Sequence, residues 1–270
     1  MAGAVDRPSA APAARPAPPP RSPWPLVSLV AFLAITVWVI LGLAPNFERT
    51  IANLDQAAEI LGEFWPPELA YFDRTIDPII ETFQMAVIAS VIGCGVALPI
   101  AFLASRVSTL SAAVYWIDRS VLSVVRSIPD ILYALIFVAA LSVGPLPGVL
   151  ALILFSIGVV AKLLSETVDG VDPGPIEAAT ATGGSHLQVV ASSVLPQVLP
   201  NYVAYALYTF ELNIRASAVI GFVGAGGIGL LLETQRRFFR YDRVALVVLE
   251  LFVMVVLIEF VSERLRRRLT

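Results

Sequence analysis

Three stretches of this chain, Trp24 to Ala44, Thr82 to Ser105 and Ile131 to Ala161, contain no charged side chain at all. A segment of about 20 apolar residues, rising 1.5 Å per residue as a helix, crosses the ~30 Å hydrocarbon core of a bilayer. Such runs commit a chain to the membrane before anything else about it is known. Composition agrees. Hydrophobic residues make up 57% and charged residues 14%, where a soluble domain carries roughly a quarter charged. A lone cysteine, Cys94, excludes an internal disulfide, and a lone histidine, His186, argues against a Cys/His metal site. The balance of 18 basic against 21 acidic residues gives no excess for binding nucleic acid.

The chain opens on a tail, 1–23, rich in proline and alanine, which builds neither helix nor core and reads as disordered. The run from Trp24 follows. It ends in Pro45-Asn46 without a small-residue cleavage pattern, so it reads as a retained span and not a signal peptide. An acidic loop completes the segment 24–81. The run Ile131 to Ala161 is 31 residues long, about 46 Å as one helix and too long for a single crossing. It must turn back at Gly144-Pro145-Leu146-Pro147-Gly148. Spans of about Val121 to Val143 and Gly148 to Leu164 result, although Tyr115 to Val125 lying along the interface fits the sequence as well. Two more, Tyr202 to Phe222 and Val244 to Val261, carry Glu211, Arg215, Glu250 and Glu259. The expected fold is all-α and integral to the membrane, with six transmembrane helices.

The arginines orient it. The amino-terminal tail, the loop with Arg106 and Arg119, and the carboxyl-terminal tail fall on one side, which the excess of positive charge makes cytoplasmic. Both termini are then cytoplasmic. The loop from Asn46 to Ile80, with seven acidic residues against two arginines, falls outside. Arg236, Arg237, Arg240 and Arg243 disagree, because this topology also puts them outside.

Gly224-x-Gly226-x-x-Gly229 matches a dinucleotide fingerprint by letter, but that fingerprint needs a preceding strand within a βαβ unit. No phosphate loop of the Gly-x-x-x-x-Gly-Lys-Ser/Thr type occurs either, so the chain is not expected to hydrolyse ATP and binds no cofactor. Gly224, Gly226, Gly227 and Gly229 read as a structural or gating break, or as close packing. The polar stretch 167–200 is more specific. Asp172-Pro-Gly-Pro175 opens a short helix, Gly183-Gly184 closes it, and a second short helix runs from about Ser185 to Pro196 and Pro200. That arrangement suits a docking platform for another protein.

Glu177-Ala178-Ala179-x-x-x-Gly183, followed by Val194-Leu195-Pro196, resembles the EAA loop of permease subunits of binding-protein-dependent ABC importers, the family with the methionine-importer-like core. The resemblance covers about 82–270, leaving one extra amino-terminal span. Arg126-Ser-Ile-Pro-Asp130, Gly158-x-x-x-Lys162-Leu-x-Ser-Glu166 and Asp172-Pro-Gly-Pro-x-Glu177 look like the phosphonate importer's membrane subunit (PhnE type). Gly184, where that family often has alanine, departs from the pattern.

The resemblance implies a non-catalytic cell-membrane permease for phosphonate, phosphite or phosphate, paired with a second permease copy as a homodimer. A cytoplasmic ATPase dimer that holds the ATP and Mg would dock at Glu177, Ala178, Ala179, Gly183 and Pro196, and a soluble binding protein would deliver substrate. Rival readings are an importer of the same build for methionine or a thiamine derivative, and an ion-coupled secondary transporter, which would need an inverted repeat that is not visible. Two readings remain for the ionised residues. Glu211 with Arg215, and Arg126 with Asp130, are ion pairs that fix helix packing, or the arginines line the translocation path, with Glu211 or Glu250 keeping Arg215 from trapping the anion. Arg236, Arg237 and Arg240 likewise either meet the binding protein or the released anion, or neutralise the acidic loop. His186 is expected to be an ordinary surface residue.

Overall fold

The computed structural model describes residues 23–267, except the side chains of 43–50; the tail expected over 1–23 lies outside the described residues apart from Pro23. Every regular element described is helical. The chain divides into two units, Met1–Ala58 and Glu59–Thr270. The first contains α1, Trp24–Ala52, whose exposed apolar side chains between Trp24 and Leu41 occupy every side of the helix, the pattern of a helix in lipid. A short helix α2, Leu54–Glu63, follows.

The larger unit is built on α3, Ile76–Leu103, and α6, Pro145–Asp169, which make its most extensive pairing, with α9, Leu195–Gly221, packed against both. Small residues allow this. A Cβ on Gly93 of α3 would collide with Ser156 of α6, the close approach by which membrane helices gain dispersion energy where lipid removes the hydrophobic drive. One buried cluster joins Ala97, Ala101, Leu122, Leu164, Val168, Val194 and Val198, and a second joins Met85, Ala89, Ala134, Leu152, Ile220 and Ala225. A polar layer lies between them. The Asn213 amide donates to Ser90 Oγ and Ser156 Oγ, each at 2.8 Å.

The third span is not the continuous helix Val121 to Val143. Instead α4, Ala112–Ser127, and α5, Asp130–Leu141, meet at an 84° bend. Ile128 precedes Pro129 and is driven into an extended conformation, φ −93° and ψ 122°, because the proline ring clashes with a helical predecessor. The bend makes the pair a broken span or a re-entrant segment, and the interfacial alternative for Tyr115 to Val125 is compatible with it. The turn back into α6 falls at Ser142 to Gly144, with Pro145 in the helix's first turn, where its missing N–H costs nothing.

By length and composition, Trp24 to Gly42, α3, α6 and α11 (Tyr241–Arg266) qualify as spans, and the bent α4 and α5 pair makes a fifth. At 27 residues α9 is long enough but carries polar side chains along its length. A second short helix ending near Pro196 is also absent. α8, His186–Val189, passes through a π turn at Val190–Val194 directly into α9. The wider turn lets Leu195 N bond the Val190 carbonyl, and Pro196 then falls in the first turn of α9.

Candidate functional site

The polar stretch between α6 and α9 folds into a compact projecting surface. Asp172 caps α7, Pro173–Ala181, by accepting from Gly174 N at 2.9 Å. Gly183, at φ +81°, turns the chain after it, a conformation that a side chain disfavours. Ser185 and Gln188 then form a reciprocal capping box on α8. Glu177, Ala178, Gly183 and Pro196 are exposed and Ala179 is half-buried, so the expected coupling residues are accessible, as is Leu187 at 79% exposure.

That surface is fixed from beneath. Gln197 accepts from Asp172 N at 3.1 Å and donates to Ser193 O at 2.7 Å, while Ser193 Oγ donates to Pro175 O at 3.0 Å. His186 is not the ordinary surface residue expected. Half-buried, it places Nε2 2.5 Å from the Ser108 carbonyl and so ties α8 to the loop between α3 and α4. None of Gln197, Ser193 or Ser108 is conspicuous in the sequence, since their partners are distant along it.

At the far end of α9 the glycine segment forms a backbone knot. Gly224, Gly226 and Gly227 adopt φ of +90°, +83° and +67°, and Gly144 N donates to Gly224 O at 3.0 Å. α10, Gly227–Arg237, begins on a glycine N-cap with no side chain to offer. Two residues of α3 supply the cap instead. Gly227 N donates to Glu81 Oε1 at 2.9 Å and Ile228 N to Thr82 Oγ1 at 2.7 Å. Gly229 faces Ala218 and Gly221 so closely that a Cβ would collide with the Ala218 carbonyl. The segment is both a break and a close contact, with no strand before it.

The ionised residues pair differently from the expectation of neighbours four apart. Glu211, buried, takes Arg266 at 2.5 Å, and Arg215 faces Glu259 at 3.8 Å, so both reach across to α11. Glu250 stands away from Arg215 and accepts from Thr75 Oγ1 at 2.7 Å. Arg126 and Asp130 are separated by the bend and form no ion pair. Asp130 accepts Ile131 N at 2.9 Å, and the Arg126 stem lies against Gly158.

Arg236 and Arg237 both bond Glu233, at 2.7 and 2.8 Å, and these bonds, Arg236 first, hold its carboxyl down at about 2. Arg240 and Arg243 share Glu68 at 2.9 and 2.6 Å, with Arg243 over the Tyr71 ring. Glu68 belongs to the acidic loop, so neutralisation accounts for this pair. The four arginines are not a bare positive patch.

Apolar spans, an exposed capped helix-turn-helix between α6 and α9 and a glycine break, with every regular element helical among the described residues, invite comparison with transport proteins. Residues 97–270 match the binding-protein-dependent transport system inner membrane component family. The chain belongs to that family. It is 40% identical over 219 residues to the phosphite transport system permease protein PtxC of Stutzerimonas stutzeri, covering 81% of this chain and 80% of that one. Identity is also 40% over 189 residues to the phosphate-import permease protein PhnE of Mycolicibacterium smegmatis, covering 70% of this chain and 36% of that longer protein. Among solved structures, an inward-facing form of the MetNI methionine ABC transporter superposes with a TM-score of 0.64 at 25% identity, covering 73% of this chain and 96% of that one. Membership makes this chain a multi-pass inner-membrane transport component and not an enzyme.

Proposed function

We propose that this permease carries a phosphorus oxyanion, phosphite, phosphonate or phosphate, across the inner membrane on behalf of an ATPase that it does not itself contain. The observation that carries the reading is the 40% identity to a phosphite permease over four-fifths of both chains. The exposed, doubly capped α7 and α8 surface supports docking of the ATPase at Glu177, Ala178, Ala179, Gly183 and Pro196. Counting α9, and the bent α4 and α5 pair as one, gives six crossings with α1 as the extra amino-terminal span, and the charge asymmetry supports cytoplasmic termini. A second permease, the same chain or a paralogue, completes the path, and a soluble binding protein delivers the anion from outside.

Within that path Arg126 is the cation best suited to meet an oxyanion. It is exposed at the α4 to α5 bend, and no carboxylate among the described residues lies in ion-pair range. Arg215, already facing Glu259, is a weaker candidate, and the knot of Gly224, Gly226, Gly227 and Gly229 provides the gate. Arg236, Arg237 and Arg240 keep exposed guanidinium groups that a binding protein's acidic rim can meet, because their bonds to Glu233 and Glu68 leave donors over.

The deciding experiment expresses the permease with its ATPase and binding protein in cells lacking their own phosphate and phosphonate importers. Labelled phosphite should be taken up, and Arg126→Gln should slow that uptake. Uptake of methionine with none of any phosphorus oxyanion would overturn the assignment. Cysteines at Ser111 and Asn53, in a background without Cys94, test the topology. Asn53→Cys should react with an impermeant thiol reagent in intact cells and Ser111→Cys should not.

A further inference from the structure

We infer that the cleft between the α3 to α4 loop and the first turns of α4 binds the phosphodiester headgroup of an anionic phospholipid. The cleft, about 500 Å³, is lined by Arg106, Val107, Tyr115, Trp116, Arg119 and Asp169. Tyr115 is buried at its back, and both guanidinium groups lie over its ring, each 5.3 Å from the centroid. The Tyr115 hydroxyl accepts from Arg106 Nε at 3.1 Å and from Arg119 at 2.6 Å, which holds the two cations side by side. Two like charges at that separation require a counter-charge.

Asp169 supplies only part of it. One carboxylate oxygen accepts Ser105 Oγ at 2.7 Å and Arg106 N at 2.8 Å, and the other meets Arg119 at 3.4 Å. Asp169 is thus engaged in closing the loop, and the terminal nitrogens of Arg106 make no hydrogen bond among the described residues. One net positive charge and a free fork of donors remain, the geometry that grips two oxygens of a phosphate.

The anion is a lipid's because of where the cleft lies. α4 exposes Val114, Ile117, Val121 and Val124 in one stripe, beside Trp116 at 61% exposure, and meets α5 at 84°. An amphipathic helix bent sharply away from an apolar one suits the headgroup layer, where tryptophan and arginine are the usual anchors. A headgroup there bears on coupling, since His186 of α8 bonds the carbonyl of Ser108 in the same loop, and Asp169 ends α6 three residues before Asp172 caps α7. The inference rests on α4 lying along the membrane surface, the interfacial alternative for Tyr115 to Val125, and not on the count of six crossings proposed above.

Trp116 reports the site. With Trp24, Trp38 and Trp65 replaced by phenylalanine, the full chain is placed in phosphatidylcholine vesicles containing brominated phosphatidylglycerol or, at equal mole fraction, brominated phosphatidylcholine. Anionic lipid is expected to quench Trp116 at about fivefold lower mole fraction, the equivalent of ~1 kcal/mol for one arginine. Arg106→Gln should abolish that preference and leave the fold intact, because the loop's bond to Asp169 comes from the Arg106 backbone. Equal quenching by both lipids, or a preference that survives Arg106→Gln, overturns the inference. Loss of the preference in inorganic phosphate, but not in chloride of equal ionic strength, overturns it in favour of free phosphate. Both leaflets carry the probe, so an inverted topology leaves the quenching unchanged and is detected by labelling at Ser111.

Discussion

Replacing Thr82 by valine tests whether α3 holds the glycine knot. The substitution preserves shape and removes one oxygen, Oγ1, to which Ile228 N donates at 2.7 Å. Both residues are fully buried, so no water takes over, and a buried donor left without a partner costs about 1–3 kcal/mol. The cost falls locally. Gly226 has no side chain to substitute for the lost cap, and Glu81 already serves Gly227 N. Local opening of the first turn of α10 should become about 5- to 150-fold more frequent, the factor that 1–3 kcal/mol represents. Hydrogen exchange of the detergent-solubilised protein, followed through peptides covering Gly226 to Leu231, reads this directly. Glu81→Gln is the control. Its amide oxygen still accepts from Gly227 N and only the charge at the helix N-terminus is lost, about 0.3–1 kcal/mol. Exchange at Gly227 and Ile228 that Thr82→Val leaves unaltered would mean that the knot is held by glycine packing alone.

At Gly183 nothing lies within 4 Å of an added Cβ, so the cost of Gly183→Val is backbone strain alone, about 1–2 kcal/mol at positive φ. Uptake should fall in that variant and be retained in Gly183→Asn, since asparagine tolerates the conformation; equal uptake in both refutes a role for the turn. Glu233 has its pKa lowered from 4.5 to about 2, so the stability it contributes is fully present above pH 4.5 and is lost as pH falls through about 2. The melting temperature of the native protein should exceed that of Glu233→Gln by a constant amount above about pH 5 and converge with it in acid; a gap that widens in acid contradicts the pairing with Arg236 and Arg237. In the polar layer, Ser90→Ala and Ser156→Ala should each cost about 0.6 kcal/mol. The double variant should cost more than their sum, because the buried Asn213 amide then loses both acceptors. Strict additivity in thermal unfolding would count against a shared network.

What the sequence discloses here is what local physics determines. Uncharged runs find α1, α3 and α6, and high hydropathy finds α11 in spite of Glu250 and Glu259, because the bilayer selects on length and polarity. Asp172, Pro173 and Gly183 delimit α7 because capping and positive φ are settled within a few residues. Charge pairing was misjudged for the opposite reason. An i,i+4 pair contributes only about 0.2–0.5 kcal/mol, so Glu211 and Arg215 were free to take Arg266 and Glu259 on another helix. The bend at Pro129 breaks the expected span Val121 to Val143 just before the uncharged run begins at Ile131, because a proline forces its predecessor out of the helical conformation. Glu81 and Thr82 fell at or beyond the edge of their uncharged run, and nothing in that position connects them to amides 146 residues later.

The continuity of α8 with α9 changes what the two ends of the permease can do to each other. From His186 to Gly221 the backbone stays helical, about 54 Å at 1.5 Å per residue. One end lies within the α7 and α8 surface proposed to receive the ATPase, and the other runs into the knot proposed as the gate. A separate short helix joined by a proline hinge would let the docking surface shift while the spans stood still. A continuous helix does not, so displacement of α8 must tilt α9 as a body or unwind it at its weakest turn. That turn is Val190–Val194, where π bonding replaces the tighter α pattern next to Pro196. It sits directly beneath α7, bonded through Ser193 to Pro175 and through Gln197 to Asp172. Those two bonds brace the turn against unwinding, which leaves tilting of α9 against α11 as the softer motion. The Arg215 to Glu259 and Arg266 to Glu211 pairs both join α9 to α11, so a tilt of α9 against α11 must either carry α11 with it or break these pairs.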